Sequence, residues 1–243
     1  QQNGLRLITP ENTHTLPVTA VTSPEQIIFQ KDDVVFLCVK GPDTKEALVN
    51  LRAKTGDNMP IFCLQNGVRN EEIALRYFPK VYGVRVHMPA YYLIDGEVTA
   101  GWDPPGGIII GRYPEGTDDL AEAVAENLRI AGFFAVATTD IMPFKWGKLI
   151  GNLSNSIIAI TNTGGERIKA MVTAARLEAQ DILTKAAISW VSAEQMAAQY
   201  PQITTRPHEN LFREAQSSTW QSLVRRPGTV ETDFLTGEIV SLA

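Results

Sequence analysis

A change of texture near residue 142 constrains this chain more than any other feature. Before it, short apolar runs of strand length alternate with segments of helical spacing. After Met142-Pro143 the strand signals vanish and helical periodicity runs to the end. Val34-Val35-Phe36-Leu37-Cys38-Val39 is a continuous β-rich run, as in a strand buried on both faces. Pro60 to Leu64 reads as a second buried strand, Val81 to Met88 as a third and Phe133 to Thr138 as the last. Val98 to Trp102 and Gly107 to Gly111 read as a hairpin around Pro104-Pro105-Gly106. Asp43 reads as the N-cap of a helix carrying Ala47, Leu48 and Leu51, and Asn70-Glu71-Glu72 opens a short helix. Thr117-Asp118-Asp119 caps a further helix with Leu120, Val124 and Leu128 on one face. Strands alternating with helices predict a sheet with parallel strands. The second half predicts helices over 144–160, 166–199, 208–224 and 229–243, some of them broken because the second is long, with breakers at Pro201 and Arg206-Pro207. The expected fold class is therefore α/β followed by all-α, with a boundary near residue 142.

Composition narrows the function classes. The chain of 243 residues is 44% hydrophobic and 20% charged, which suits a globular protein and not a disordered one. Its 22 basic and 27 acidic residues leave a net charge of -5, the wrong sign for a nucleic-acid binder. No apolar run approaches the roughly 18 residues that span a bilayer. Cys38 and Cys63 lie in apolar stretches and read as buried, reduced thiols of a cytoplasmic protein. His14, His87 and His208 are scattered, so no metal site is expected. A Walker-type loop and a Gly-x-Ser-x-Gly elbow are both absent. Both ends read as lying inside an element, as in a fragment.

Three places collect polar residues that a core would not choose. Gln65-Asn66-Gly67 ends a buried strand, where ligands bind in open α/β sheets; taken alone, Asn-Gly reads first as a turn. Lys40-Gly41 ends the preceding strand and carries the same two readings. Lys148, Asn152 and Asn155 form one stripe at about 100° per residue on a helix otherwise lined by Leu149, Ile150, Leu153, Ile157 and Ile158. A lysine in such surroundings can serve as a proton donor, or it can snorkel to water from a wet face. The third place is Ser217-Ser218 with Glu231-Thr232-Asp233 downstream. Read alone, Thr229 caps the last helix and the acidic residues complement its dipole.

Taken in order, these segments resemble the ketopantoate reductase (2-dehydropantoate 2-reductase) family. The resemblance rests on Val39-Lys40, Gln65-Asn66-Gly67-Val68 with Asn70-Glu71-Glu72, and Trp146-Gly147-Lys148-Leu149 with Asn152. It continues through Ser217-Ser218 and Glu231-Thr232-Asp233-Phe234 to Gly237. The resemblance implies a Rossmann-type dinucleotide-binding domain over 1–142 and a helical substrate and dimerisation domain over 143–243. It implies NADPH-dependent reduction of 2-dehydropantoate to pantoate, a step of pantothenate biosynthesis, in a homodimer. Lys148 would be the general acid and Glu231 would hold the substrate hydroxyl. Asn152, Asn155 and Ser218 would bind the 2-oxo acid, and Lys40 and Asn66 would lie against the cofactor. The family's Gly-x-Gly-x-x-Gly loop has no counterpart here, so the first βαβ stretch is expected to be missing, as is the C-terminal end. The family's second asparagine falls where this chain has Ser156, next to Asn155. A paralogue acting on another short oxo or hydroxy acid stays open, as does a non-catalytic homologue.

Overall fold

The computed structural model describes residues 4–161, 165–204, 217–225 and 229–243. The chain opens with a hairpin, β1 (Leu5–Ile8) and β2 (Thr13–Leu16). Next come β3 (Val35–Leu37), α1 (Thr44–Thr55), β4 (Ile61–Cys63), α2 (Asn70–Leu75) and β5 (Val81–His87). Then follow β6 (Ala90–Tyr91), β7 (Glu97–Ala100), β8 (Gly107–Arg112), α3 (Asp119–Ile130) and β9 (Phe134–Ala137). The rest is helical: α4 (Met142–Asn152), α5 (Ser154–Thr161), α6 (Glu166–Lys185), α7 (Ala193–Gln199), α8 (Pro201–Thr204), α9 (Ser218–Arg225) and α10 (Thr236–Leu242).

The larger sheet runs β3-β4-β5-β8-β9. β3, β4 and β5 are mutually parallel, and β8 turns antiparallel to β5 with β9 parallel to it. One face packs Leu48, Leu51, Ala74 and Phe78 from the α1–α2 layer. The other packs Ala121, Val124 and Ala125 of α3 around Phe62 and Tyr82, whose rings stack at 4.3 Å. β3 is an edge strand, not one buried on both faces: Phe36 and Cys38 are exposed, while Cys63 on β4 is buried and both thiols are free. The expected hairpin is also absent. β7 belongs to a second sheet, β2-β1-β7-β6, so Trp102–Gly106 carries the chain between sheets. Gly106 has φ +135°, and a side chain there would meet the His87 carbonyl, which explains the glycine at this crossing.

The helical half departs from its pattern in two places and breaks its longest stretch as expected. The expected helix over 144–160 breaks at Leu153, because Ser154 Oγ (3.0 Å) and Arg176 (3.2 Å) both donate to the Gly151 carbonyl and compete for it. The 166–199 stretch is broken as its length suggested: α6 stops at Lys185, and α7 restarts at a capping box between Ser192 and Gln195. The last helix begins at Thr236 rather than at 229, with Thr232–Phe234 forming a 3-10 turn before it. The start of the expected 208–224 helix, residues 208–216, lies outside the described residues.

Asp118 shows how tightly the α/β part is tied. Its carboxylate accepts from the Ala121 N–H at 3.0 Å, capping α3, and from the Tyr82 hydroxyl at 2.8 Å. By contrast Asp43 lies at the start of α1 without a side-chain cap bond. Asp118→Ala is expected to cost about 1–2 kcal/mol, the loss of a cap plus an orphaned hydroxyl. Urea unfolding would read this, and Asp118→Asn should recover most of it. A loss below about 0.3 kcal/mol would contradict the capping role.

Candidate active site

The parallel strands β3, β4 and β5 end side by side, and the polar residues gather beyond those ends. Lys40 follows β3, and its ammonium sits 2.7 Å from Glu231 Oε2. Glu231 Oε1 accepts from the Gly41 N–H at 3.1 Å. The carboxylate is thus buried and turned into the site, not toward the dipole of the last helix. Gly41 and Gly67 are both needed for this docking. A Cβ at Gly41 would stand 2.5 Å from the Phe234 ring, and one at Gly67, with φ +89°, 2.6 Å from the Phe234 carbonyl. Arg69 lies over the same ring at 5.4 Å and pairs with Glu238 at 2.6 Å. The Glu231–Phe234 segment therefore plugs onto the loops after β3 and β4.

Asn66 is half-buried, and its carbonyl accepts from Asn70 Nδ2 at 3.0 Å. The chain bends here, with Gly67 at φ +89°, and the bend is part of a buried network. Gln65 Nε2 donates to Thr44 Oγ1 at 2.8 Å, and Thr44 donates to Asn70 Oδ1 at 2.9 Å. This network stiffens the loop that presents Asn66.

Lys148 and Asn152 stand on α4, one turn apart. Lys148 donates to the Val86 carbonyl at the end of β5. Burial holds its pKa down to about 7, helped by the positive charges of Arg85 and Lys145, with Glu231 pulling weakly the other way. The wet-face reading therefore fails for Lys148: its ammonium turns inward. Asn152 Nδ2 is buried without a hydrogen-bond partner. Asn155 falls on α5, beyond the break at Leu153, and its carbonyl accepts from Ser217 Oγ at 3.3 Å. Ser217 also accepts from the Trp220 N–H at 3.2 Å, which caps α9 and sets Ser218 as its first residue. Ser156 Oγ lies 3.5 Å from Thr236 Oγ1.

Three charged residues of this region escaped the pattern reading. Lys145 is 3% exposed; its ammonium contacts Glu71 Oε1 and donates to the Gln65 carbonyl at 3.2 Å. Glu71 is fully buried, and that burial raises its pKa while Lys145 opposes the rise. Arg85, on β5, is buried beneath α4. Lys145 was within reach, since spacings of three and four place it on the stripe of Lys148 and Asn152. Glu71 and Arg85 carry no such signal. Gly147 lies between the two lysines because a Cβ there would collide with the Val191 carbonyl. Among the described residues no group of His, Cys, Asp and Glu could hold a metal ion, and no helix is long and apolar enough to cross a membrane.

Comparisons with known proteins bear on the fold and the family resemblance. The family model described as "Ketopantoate reductase PanE/ApbA" matches residues 1–115. A 2-dehydropantoate 2-reductase of Archaeoglobus fulgidus is 29% identical over 246 residues, covering 98% of this chain and 77% of that protein. The crystal structure of a PanE/ApbA family ketopantoate reductase from Ralstonia eutropha JMP134 superposes with a TM-score of 0.78 at 23% identity. It covers 99% of this chain and 78% of its own. The ternary structure of a D-mandelate dehydrogenase with NADH and anilino(oxo)acetate gives the same TM-score, 0.78, at 18% identity, with 99% and 78% coverage. These two structures share the fold.

Proposed function

We infer, because this chain belongs to the ketopantoate reductase family of NAD(P)H-dependent 2-oxo-acid reductases, that it reduces the ketone of a short 2-oxo acid, with 2-dehydropantoate as substrate and NADPH as cofactor. The observation that carries this reading is Lys148. It is an inward-facing ammonium at the carboxyl end of a parallel sheet, held on a carbonyl, with a pKa brought down to about 7. Such a group is poised to give up a proton near neutral pH.

The residues present fit the nicotinamide end of the cofactor. Three parallel strands end at the crevice that in open α/β sheets receives dinucleotides, and Asn66 offers an amide there that can donate and accept. Lys40 follows the adjacent strand β3. When bound, NADPH supplies the hydride that goes to the ketone carbon. Lys148 then transfers its proton to the ketone oxygen, and its charge stabilises the oxyanion as it develops. The Val86 carbonyl keeps the ammonium aimed. Asn152 Nδ2, a buried donor without a partner, and Ser218 hold the carboxylic acid end, with Asn155 alongside. Glu231 accepts from the substrate hydroxyl. Its two oxygens have lone pairs beyond those that Lys40 and Gly41 use. In this reading residues 1–142 bind the cofactor and 143–243 bind substrate and a second copy. Exposed Ile160, Met171 and Leu177 in the helical half support the self-association.

A second reading, a different 2-oxo acid, draws on Ser156, which stands against Thr236 where the family pattern has an asparagine, and on the mandelate dehydrogenase likeness. The test compares kcat/KM for 2-dehydropantoate with that for 3-methyl-2-oxobutanoate, which lacks the hydroxymethyl group. Wild type should favour 2-dehydropantoate by at least about 10²-fold, since a site that bonds a hydroxyl rejects analogues without it. Glu231→Gln should erode that preference. A wild type that prefers the analogue favours the second reading, and no cofactor oxidation with any 2-oxo acid ends both.

A further inference from the structure

Arg85 is 9% exposed, and its Nη1 is buried with no hydrogen-bond partner. Its side chain leaves β5 on the face of Ile109, its neighbour across the β5–β8 ladder. Ile109 packs against Ile141 and Phe144, so this face lies under α4. Burial lowers the arginine only to about 10, so it remains charged at neutral pH. A buried charge without a counter-charge is costly, and proteins rarely leave one so.

The surroundings make the imbalance sharper. Lys145, one turn before Lys148, is matched by Glu71. Lys40 is matched by Glu231. Lys148 is close enough to feel the charge of Arg85, and its ammonium rests on the carbonyl of the very next residue, Val86. Among the described residues, then, Arg85 and Lys148 are two adjacent cations with no carboxylate hydrogen-bonded or ion-paired to either. Asn152 Nδ2, one turn further along α4, is another buried donor lacking an acceptor. What these groups share is the want of an anion that brings acceptors with it.

We propose that Arg85 binds the carboxylate of the 2-oxo acid, from its place on β5 under α4, beside the ketone held at Lys148. The chemistry of the substrate class matches this adjacency. In a 2-oxo acid the carboxylate is bonded directly to the ketone carbon, so the cation that holds it must neighbour the proton donor. A guanidinium presents paired donors that fit the two carboxylate oxygens. Arg85 is thereby the residue that makes the site select acids over neutral ketones, esters and amides. The proposal rests on the 2-oxo-acid reading above and adds a binding residue to it.

The experiment is calorimetric titration of the full chain, with and without NADPH, using oxamate, a non-reducible 2-oxo-acid mimic, and its neutral counterpart oxamide. Wild type should bind oxamate in preference to oxamide. Arg85→Gln should weaken oxamate roughly 10- to 100-fold, the range for losing a hydrogen bond to a charged group, and leave oxamide within twofold. Arg85→Lys, which keeps the charge and loses the fork, should weaken oxamate at least about threefold, and it serves if the glutamine variant does not fold. Oxamate binding unchanged in the substituted proteins, or no preference for oxamate in wild type, overturns the proposal. Failure of wild type to reduce any 2-oxo acid, with oxamate binding still dependent on Arg85, would instead remove the reductase reading and leave the anion site standing.

Discussion

Lys148→Ala should slow reduction by about 10²–10⁴-fold, the usual loss when a positioned proton donor is removed. Single-turnover oxidation of NADPH with 2-dehydropantoate measures it directly, and a loss below threefold would exclude Lys148 from proton transfer. The wild-type pH dependence follows from the lowered pKa of about 7. Reduction needs the protonated lysine, and kcat/KM reports the free protein. So kcat/KM for reduction should be level below about pH 7 and fall tenfold per unit above it, while the reverse oxidation rises with pH. Stability should respond in the opposite sense to the reductive rate. Lys148 titrates near 7 when folded, and an unfolded lysine near about 10.4, so between those values the unfolded chain binds more protons. The penalty for holding this lysine is full below pH 7 and disappears as pH rises toward 10. Lys148→Met should accordingly be at least as stable as wild type at pH 6 while inactive, which separates lost chemistry from lost fold.

Lys145→Met should destabilise the protein by about 3–5 kcal/mol, because it leaves the Glu71 carboxylate buried and unpaired. Lys145 is 3% exposed and Glu71 is fully buried, so water cannot take over the lost role. The same ammonium also donates to the Gln65 carbonyl, fastening the loop that presents Asn66 to the helix that presents Lys148. The double variant Lys145→Met with Glu71→Leu removes both charges and should recover most of the loss, since an apolar pair of similar volume often equals a buried ion pair. Denaturant unfolding of the four proteins of this cycle is the measurement. A single-variant loss below about 1 kcal/mol would mean that the pair is hydrated in solution and does not clamp the two halves.

The legible parts of this molecule are those where one-dimensional spacing carries the physics. β4, β5 and β9 are apolar runs of strand length, and α3 shows its Asp118 cap and its apolar face in sequence. The shift from alternating elements to helices alone is visible at Met142-Pro143. Lys148 and Asn152 stand out because polar groups on an apolar helix need a reason. What spacing could not carry is which elements become neighbours. Phe36 and Cys38 look like core and lie on an edge, because a strand's burial depends on what pairs with it. The apparent hairpin at Pro104 joins two different sheets.

The sequence by itself determined the change from alternating strands and helices to helices alone, and it singled out Lys148 and Asn152 as polar groups on an apolar helix. These follow from local propensity, periodicity and side-chain chemistry, which each residue brings regardless of its neighbours in space. Only the tertiary structure decided how the charges are matched. Glu231 reads as a helix-dipole residue until its carboxylate is seen on Lys40 and the Gly41 N–H, 191 and 190 positions away. Lys145 meets Glu71 across 74 positions, and Arg85 comes near Lys148 with its Nη1 buried and without a hydrogen-bond partner. The energy of a charge is set by distance and by exclusion of water, and both are properties of the folded packing that no spacing along the chain records.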